Sequence, residues 1–145
     1  MIRVLVQPGD FDSAAELATL EALGGGGVAS FTGIVRGDGG LEALELEHYA
    51  GMTEAALHQL AEAAGTRWPL LGITLIHRVG RLTPGNRIVF VATASAHRAA
   101  ALESCAFLID RLKTDAPFWK KEHFADGARW VDARDSDTAA AARWS

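Results

Sequence analysis

The chain has 145 residues, nearly half apolar and 22% charged, which suits one soluble globular domain spanning 1–145. Its formal net charge is −4 and no basic block runs along it, which disfavours nucleic acid as a main partner. No stretch nears the ~20 apolar residues that span a bilayer, the N-terminus lacks a signal peptide's layout, and a single cysteine forbids an internal disulfide, so a cytoplasmic location is expected.

Residues 2–7 read as a first strand, stopped by Pro8-Gly9. Asp10 or Asp12 suits the cap of a short helix reaching Leu23, with Ala14, Leu17 and Leu20 inward. The run Gly24–Gly27 ends it; no Gly-Lys-Ser/Thr follows, so a flexible connector is expected rather than a phosphate loop. Val28–Val35 predicts a strand leading to Arg36. Leu41–Tyr49 alternates, with Leu44, Leu46 and His48 on one face and Glu45, Glu47 and Tyr49 on the other. Joined through the G-D-G-G run at 37–40, these two predict a hairpin.

A helix is expected from after Gly51 to Arg67, with Met52, Ala56, Leu57, Leu60 and Ala64 at helical spacing and Trp68-Pro69 closing it. Ile73–Val79 and Ile88–Ala94 are two more strands, joined by Thr83-Pro84-Gly85-Asn86, a type II turn sequence. Ser95 suits the cap of the next helix, which would carry Leu102, Cys105, Ile109 and Leu112 inward. Extended pieces around Trp119 and at Arg129–Val131, then a short alanine-rich helix, complete the chain. Two strand pairs with tight turns imply antiparallel pairing, hence an α+β fold, an antiparallel sheet packed with helices.

The chain's three lysines, Lys113, Lys120 and Lys121, all fall within L-K-T-D-A-P-F-W-K-K-E (112–122), while arginine supplies the other cations. Unlike arginine, lysine can lose its proton when crowded or desolvated and so serve as base or nucleophile. Pro117 disfavours helix at Ala116, so one amine should sit at a helix end and the others on adjoining extended chain. A helix C-terminus collecting cations would explain Lys113, but not Lys120 and Lys121.

A second constellation is Ser95-Ala96-His97-Arg98 at a helix start, where cations oppose the dipole unless an anion is bound. Arg36, at a strand end beside a glycine-rich turn, is a third point. The five histidines and one cysteine show no metal-ligand spacing, and His77, within an apolar strand, reads as a core residue. Cys105 falls on an apolar helix face and reads as a buried, inert thiol; Glu45 and Glu47 read as a solvated edge. Neither a nucleophile elbow nor a dinucleotide fingerprint is present.

L-E-H-Y-A-G-M-T-E (46–54), I-H-R-V-G (76–80), S-A-H-R (95–98), the lysine segment, W-V-D-A-R-D-S-D (130–137) and the closing Arg143-Trp144 together resemble the large, catalytic subunit of molybdopterin synthase over nearly the whole chain. The resemblance implies a hammerhead-type α+β fold. It also implies a homodimer of large subunits within a heterotetramer, each binding a small ubiquitin-like sulfur-carrier subunit that ends in Gly-Gly. That subunit's thiocarboxylate would deliver sulfur to cyclic pyranopterin monophosphate, forming the dithiolene of molybdopterin, with no metal and no resident cofactor. By the same resemblance Lys113 and Lys120 match the catalytic lysines. Arg36, His97 and Arg98 match the substrate-anion pocket, and Ile34, Val35, Lys121 and Glu122 match segments lining it. Three positions depart from the family pattern: Ala50 stands at a usual proline, Asn86 at a usual turn aspartate, and the loop after Arg36 is short. The first two read as structural; the third touches the pocket.

Two other classes compete. A non-catalytic, anion-binding regulatory or scaffold homodimer of the same fold would not need both Lys113 and Lys120. An acyltransferase using coenzyme A would want a glycine-rich turn before a helix, whereas Gly24–Gly27 leads into a strand.

Overall fold

The structure, a computed structural model, describes residues 1–131 and 135–144. In chain order it runs β1 (Ile2–Gln7), α1 (Ser13–Glu21), β2 (Gly27–Ile34), β3 (Ala43–His48), α2 (Met52–Arg67) and β4 (Leu70–Arg78). It continues with β5 (Gly80–Leu82), β6 (Arg87–Ser95), α3 (Arg98–Asp115), β7 (Phe118–Phe124), β8 (Gly127–Val131) and α4 (Asp135–Ala142). The strands form two four-stranded sheets, ordered β1-β4-β6-β2 and β5-β3-β7-β8. Pairing is antiparallel except between β1 and β4, whose parallel register the long α1-to-α2 excursion permits. The α+β expectation holds.

The first sheet is the interior layer. One face of β4 and β6 presents Ile73, Leu75, Val89 and Val91 to Leu57, Leu60 and Ala64 of α2 and Phe107, Leu108 and Leu112 of α3. The other face presents Ile76, Phe90 and Ala92 to Leu20 of α1 and to Phe11, which precedes that helix. Being covered on both sides, β4 and β6 read as nearly continuous apolar runs rather than alternating ones.

The cap of α1 and the turn at 83–86 fall where the sequence places them. Asp12 caps α1, its carboxylate accepting from the Ala15 amide at 3.1 Å. The Asn86 amide donates to the Thr83 carbonyl at 3.0 Å with Gly85 at φ +92°, as a type II turn requires. Asn86 Oδ1 also accepts from the Thr83 amide at 2.9 Å, the task an aspartate would perform there.

Several expectations are corrected. β2 and β3 do not form a hairpin: β2 pairs with β6, whereas β3 pairs with β5 and β7 in the other sheet. The register shifts at Gly33/Ile34, and Val35 then bonds Asn86 and Gly85 of the turn instead of the chain that follows it. The Gly24–Gly27 run is a close crossing, not a flexible connector. A Cβ on Gly25 would lie 2.5 Å from the Ser95 carbonyl oxygen, and one on Gly26 2.4 Å from that of Ala96.

The buried stripes of α2 and α3 hold at Leu57, Leu60 and Ala64 and at Cys105 and Leu112, and differ at their first members. Met52 and Leu102 are 65% and 61% exposed, while Thr53, Ala101 and Ser104 are buried; Ala14 of α1 is exposed as well. Ser95 ends β6, donating to the Pro69 carbonyl at 2.9 Å, and His97 takes the cap position of α3 without a side-chain bond.

Candidate active site

Leu112, buried, anchors the C-terminal end of α3 in the core, and Lys113 follows it in the last turn. Pro117 forces Ala116 out of helical geometry (φ −82°, ψ 127°), and β7 begins one residue later. This corner is fastened from α2: the buried Thr53 hydroxyl donates to the Pro117 carbonyl at 3.0 Å and accepts from the Tyr49 amide at 3.2 Å. A helix end and a strand start are thereby held side by side, as the lysine segment requires.

Along β7 side chains alternate, so Phe118, Lys120 and Glu122 share one face. That face looks into a cleft of about 330 Å³ between the two sheets. Ile34, Val35 and Arg36 close it from the end of β2, Lys113 and Thr114 from α3, and Asp137 from α4. Its apolar wall is Leu41, Leu44, Ile88 and Leu112. Arg36, Lys113 and Lys120 bring positive charge; Asp38, Glu122 and Asp137 bring carboxylates. Arg36 Nε lies 3.3 Å from Asp38 Oδ2 at an exposed position, a pair that an incoming anion can open at small cost.

The structure therefore gathers Ile34, Val35, Arg36, Lys113, Lys120 and Glu122 in one place. It does not bring in the remaining three predicted site residues. Lys121 lies on the opposite face of β7, its amine 5.3 Å from the Trp130 ring, beside an exposed row formed by Tyr49, Trp119 and Trp130. His97 and Arg98 open α3, whereas Lys113 ends it. Fifteen residues at 1.5 Å rise separate Arg98 from Lys113 by roughly 22 Å.

Sequence reasoning missed His77 as part of the cleft. It is 5% exposed, as a core residue should be, yet it lines the cleft wall. Its ring stacks on Phe118 with centroids 3.9 Å apart, and Nδ1 lies 2.8 Å from the Arg78 carbonyl oxygen. Burial pushes its pKa down to about 3, outweighing the backbone bond, and the nearby Lys120, Lys113 and His48 push the same way. No spacing in the sequence announces this, because the ring meets β7 only in the folded chain.

Cys105 is buried with Sγ 3.8 Å from the Val91 carbonyl, and burial raises its thiol to about 11, which makes it the inert thiol expected. Glu45 is not simply solvated, since its carboxylate lies 2.8 Å from His123 Nε2. Among the described residues no group of three or more His, Cys, Asp or Glu side chains could hold a metal ion, and no helix is long and apolar enough to cross a membrane. Residues 132–134 of the 130–137 motif lie outside the described residues. Trp144, just past the C-terminal end of α4, docks on Trp68 and Phe107 and donates to Asp110 of α3 at 2.7 Å.

Comparison with known proteins is consistent throughout. The model of the MoaE protein family matches residues 6–115. The molybdopterin synthase catalytic subunit of Pseudomonas aeruginosa is 54% identical, over 97% of this chain and 97% of its own. Among solved structures, the molybdopterin biosynthesis MoaE protein from Burkholderia ambifaria superposes with a TM-score of 0.87 at 52% identity, covering 99% of this chain and 98% of that one. Molybdopterin synthase from Staphylococcus aureus superposes at 0.77 with 32% identity, over 90% and 96% of the two chains.

Proposed function

The chain belongs to the MoaE protein family, and we propose on that premise that it is the catalytic subunit of a molybdopterin synthase, a sulfurtransferase of molybdenum cofactor biosynthesis. The observation that carries this reading at residue level is the cleft. It sets a lysine from a helix end and a lysine from a strand over an apolar wall, with an arginine at its rim.

The chemistry needs these parts. The substrate is cyclic pyranopterin monophosphate, whose phosphate calls for fixed cations; Arg36 supplies one beside a carboxylate it can exchange for the ligand. Sulfur arrives as the thiocarboxylate at the Gly-Gly end of a small ubiquitin-like partner, threaded into the cleft as an extended tail. Lys113 and Lys120 stabilise the thiocarboxylate carbonyl and move the protons that the entering sulfur and departing oxygen require. Glu122, on the face of Lys120, orients the amines. Sulfur needs no store on this chain, which agrees with a buried Cys105, and the reading includes no resident cofactor.

His97 and Arg98 keep their proposed part in anion binding only if a second copy supplies them, because their own cleft lies a helix length away. We propose a homodimer arranged in that way, with a small subunit on each large one, acting in the cytoplasm.

Reconstitution tests the whole. Purified chain, pterin substrate and a thiocarboxylated Gly-Gly partner should give the dithiolene product by mass spectrometry, and the chain without partner should give none. Lys113→Ala should abolish product. Sulfur transfer at the wild-type rate by that variant would refute a catalytic role for the cleft and favour a non-catalytic dimer.

A further inference from the structure

His77 stands at the deep wall of the cleft, and its two ring nitrogens have different fates. The Arg78 carbonyl can only accept, so Nδ1 carries the proton and donates to it at 2.8 Å. Nε2 is then an unprotonated acceptor. Among the described residues no buried side-chain nitrogen lacks a partner, and Nε2 has none among them, so Nε2 keeps contact with open space. The open space His77 meets is the cleft.

Two further facts tie this acceptor to one amine. The ring stacks on Phe118, and Lys120 lies two residues along the same face of β7, within reach of a four-carbon stem. Of the two cleft lysines, Lys120 also weighs more on the ring's charge than Lys113 does.

We propose that His77 is the positioning residue of the cleft: its Nε2 accepts a hydrogen bond from the Lys120 ammonium and so fixes where that amine sits and how firmly it holds its proton. The proposal rests on the reading of Lys120 as a working amine. The ammonium carries three N–H donors, so a bond to Nε2 leaves two for the other partners of Lys120.

The ring suits this task and not that of a base. Lys120 of β7, Lys113 of α3 and His48 of β3 act on the ring, and the cleft it lines also holds Glu122 from β7, Arg36 and Asp38 from the connection after β2, and Asp137 from α4. Burial and the neighbouring cations keep the imidazole neutral down to about pH 3, too weak an acceptor to carry off a proton near neutrality. A neutral acceptor that stays neutral gives the lysine a fixed reference at every working pH.

Two arms test this on the full chain. In the kinetic arm, with the thiocarboxylated partner present, His77→Phe keeps the stack on Phe118 but removes the acceptor, whereas His77→Gln restores an acceptor. His77→Phe should lower kcat by about ten-fold or more while KM for the pterin changes less. Because an accepted bond favours the ammonium, the pH–rate limb set by the lysine should move to lower pH by about one unit, and His77→Gln should bring it back.

In the spectroscopic arm, ring nitrogen resonances of labelled wild-type protein should show the proton on Nδ1. The Nε2 signal should move toward that of an unbonded acceptor in Lys120→Ala. An unmoved Nε2 signal, a proton on Nε2, or a well-folded His77→Phe protein with the wild-type pH profile would each overturn the proposal. The spectrum needs no turnover. An active Lys120→Ala enzyme would therefore sink the reading of the lysine without deciding the role of His77, which the nitrogen signal decides alone.

Discussion

Mixing two disabled variants offers the most direct check on how the site is assembled. Arg98 and Lys113 lie roughly 22 Å apart on one rigid helix. A cleft of 330 Å³ is only about 9 Å across when treated as a sphere, so one bound substrate cannot touch both residues of the same chain. If both act on it, each cleft takes its lysines from one protomer and its Arg98 from the partner protomer. Homodimers of Arg98→Ala and of Lys113→Ala would then be defective at every site. After unfolding and refolding together in equal amounts, half the dimers are mixed, and each mixed dimer holds one doubly defective site and one intact site. About a quarter of wild-type activity should return. The assay is dithiolene formation at limiting pterin, with native mass spectrometry confirming that mixed dimers form. Activity that stays at the average of the two variants despite mixed dimers would refute the shared cleft and leave Arg98 without a part in it.

Four other outcomes are expected. Lys113→Ala should leave the thermal midpoint within about ±0.5 kcal/mol of stability while removing activity, because the side chain is exposed and anchors no packing; scanning calorimetry beside the product assay checks both halves. Thr53→Val should cost about 1–3 kcal/mol in denaturant titrations, since it strands the Pro117 carbonyl and the Tyr49 amide, and unaltered stability would show that water replaces the hydroxyl. Cys105→Ala should keep the reconstituted activity, and the wild-type thiol, held near 11, should resist alkylation at pH 8 in the folded protein. His77 has a lowered folded pKa, so the unfolded chain binds the extra proton: stability should fall as pH drops from about 6.5 toward 3, and His77→Phe should flatten that slope in thermal melts.

Most elements were legible because local chemistry sets their ends. Asp12 caps a helix, Pro69 and Pro117 stop two others, and Gly85 makes a turn. The lysine cluster was legible for the same reason, since Pro117 alone predicts a helix end beside a strand. Partnership between strands was legible for one pair of two: β4 and β6 pair antiparallel across their turn as expected, whereas β2 and β3 alternate well enough to pair, yet each finds a better partner elsewhere. The first member of α2's buried stripe was misread because Thr53, a polar residue, is buried by a bond to Pro117 64 positions away. The side of β7 on which Lys121 falls is a different case. Alternation counted from the partly buried Phe118 puts Lys120 inward and Lys121 outward with Trp119, so the signal was present in the sequence. His77 gave no such signal, because the stack that brings it to the cleft joins two different sheets.

The two sheets share no ladder among the described residues, and this has a kinetic consequence. Lys120 belongs to the outer sheet, whose strand β8 is largely exposed, while β4 and β6 are buried on both faces. Amide deuteration should therefore proceed in two waves, with β7 and β8 exchanging through local openings and β4 and β6 only through global ones. An occupant in the cleft should slow the first wave and leave the second nearly untouched. Such a pattern would mark a breathing rim on a rigid base, so that the tail of the proposed partner would enter and leave without any melting of the interior.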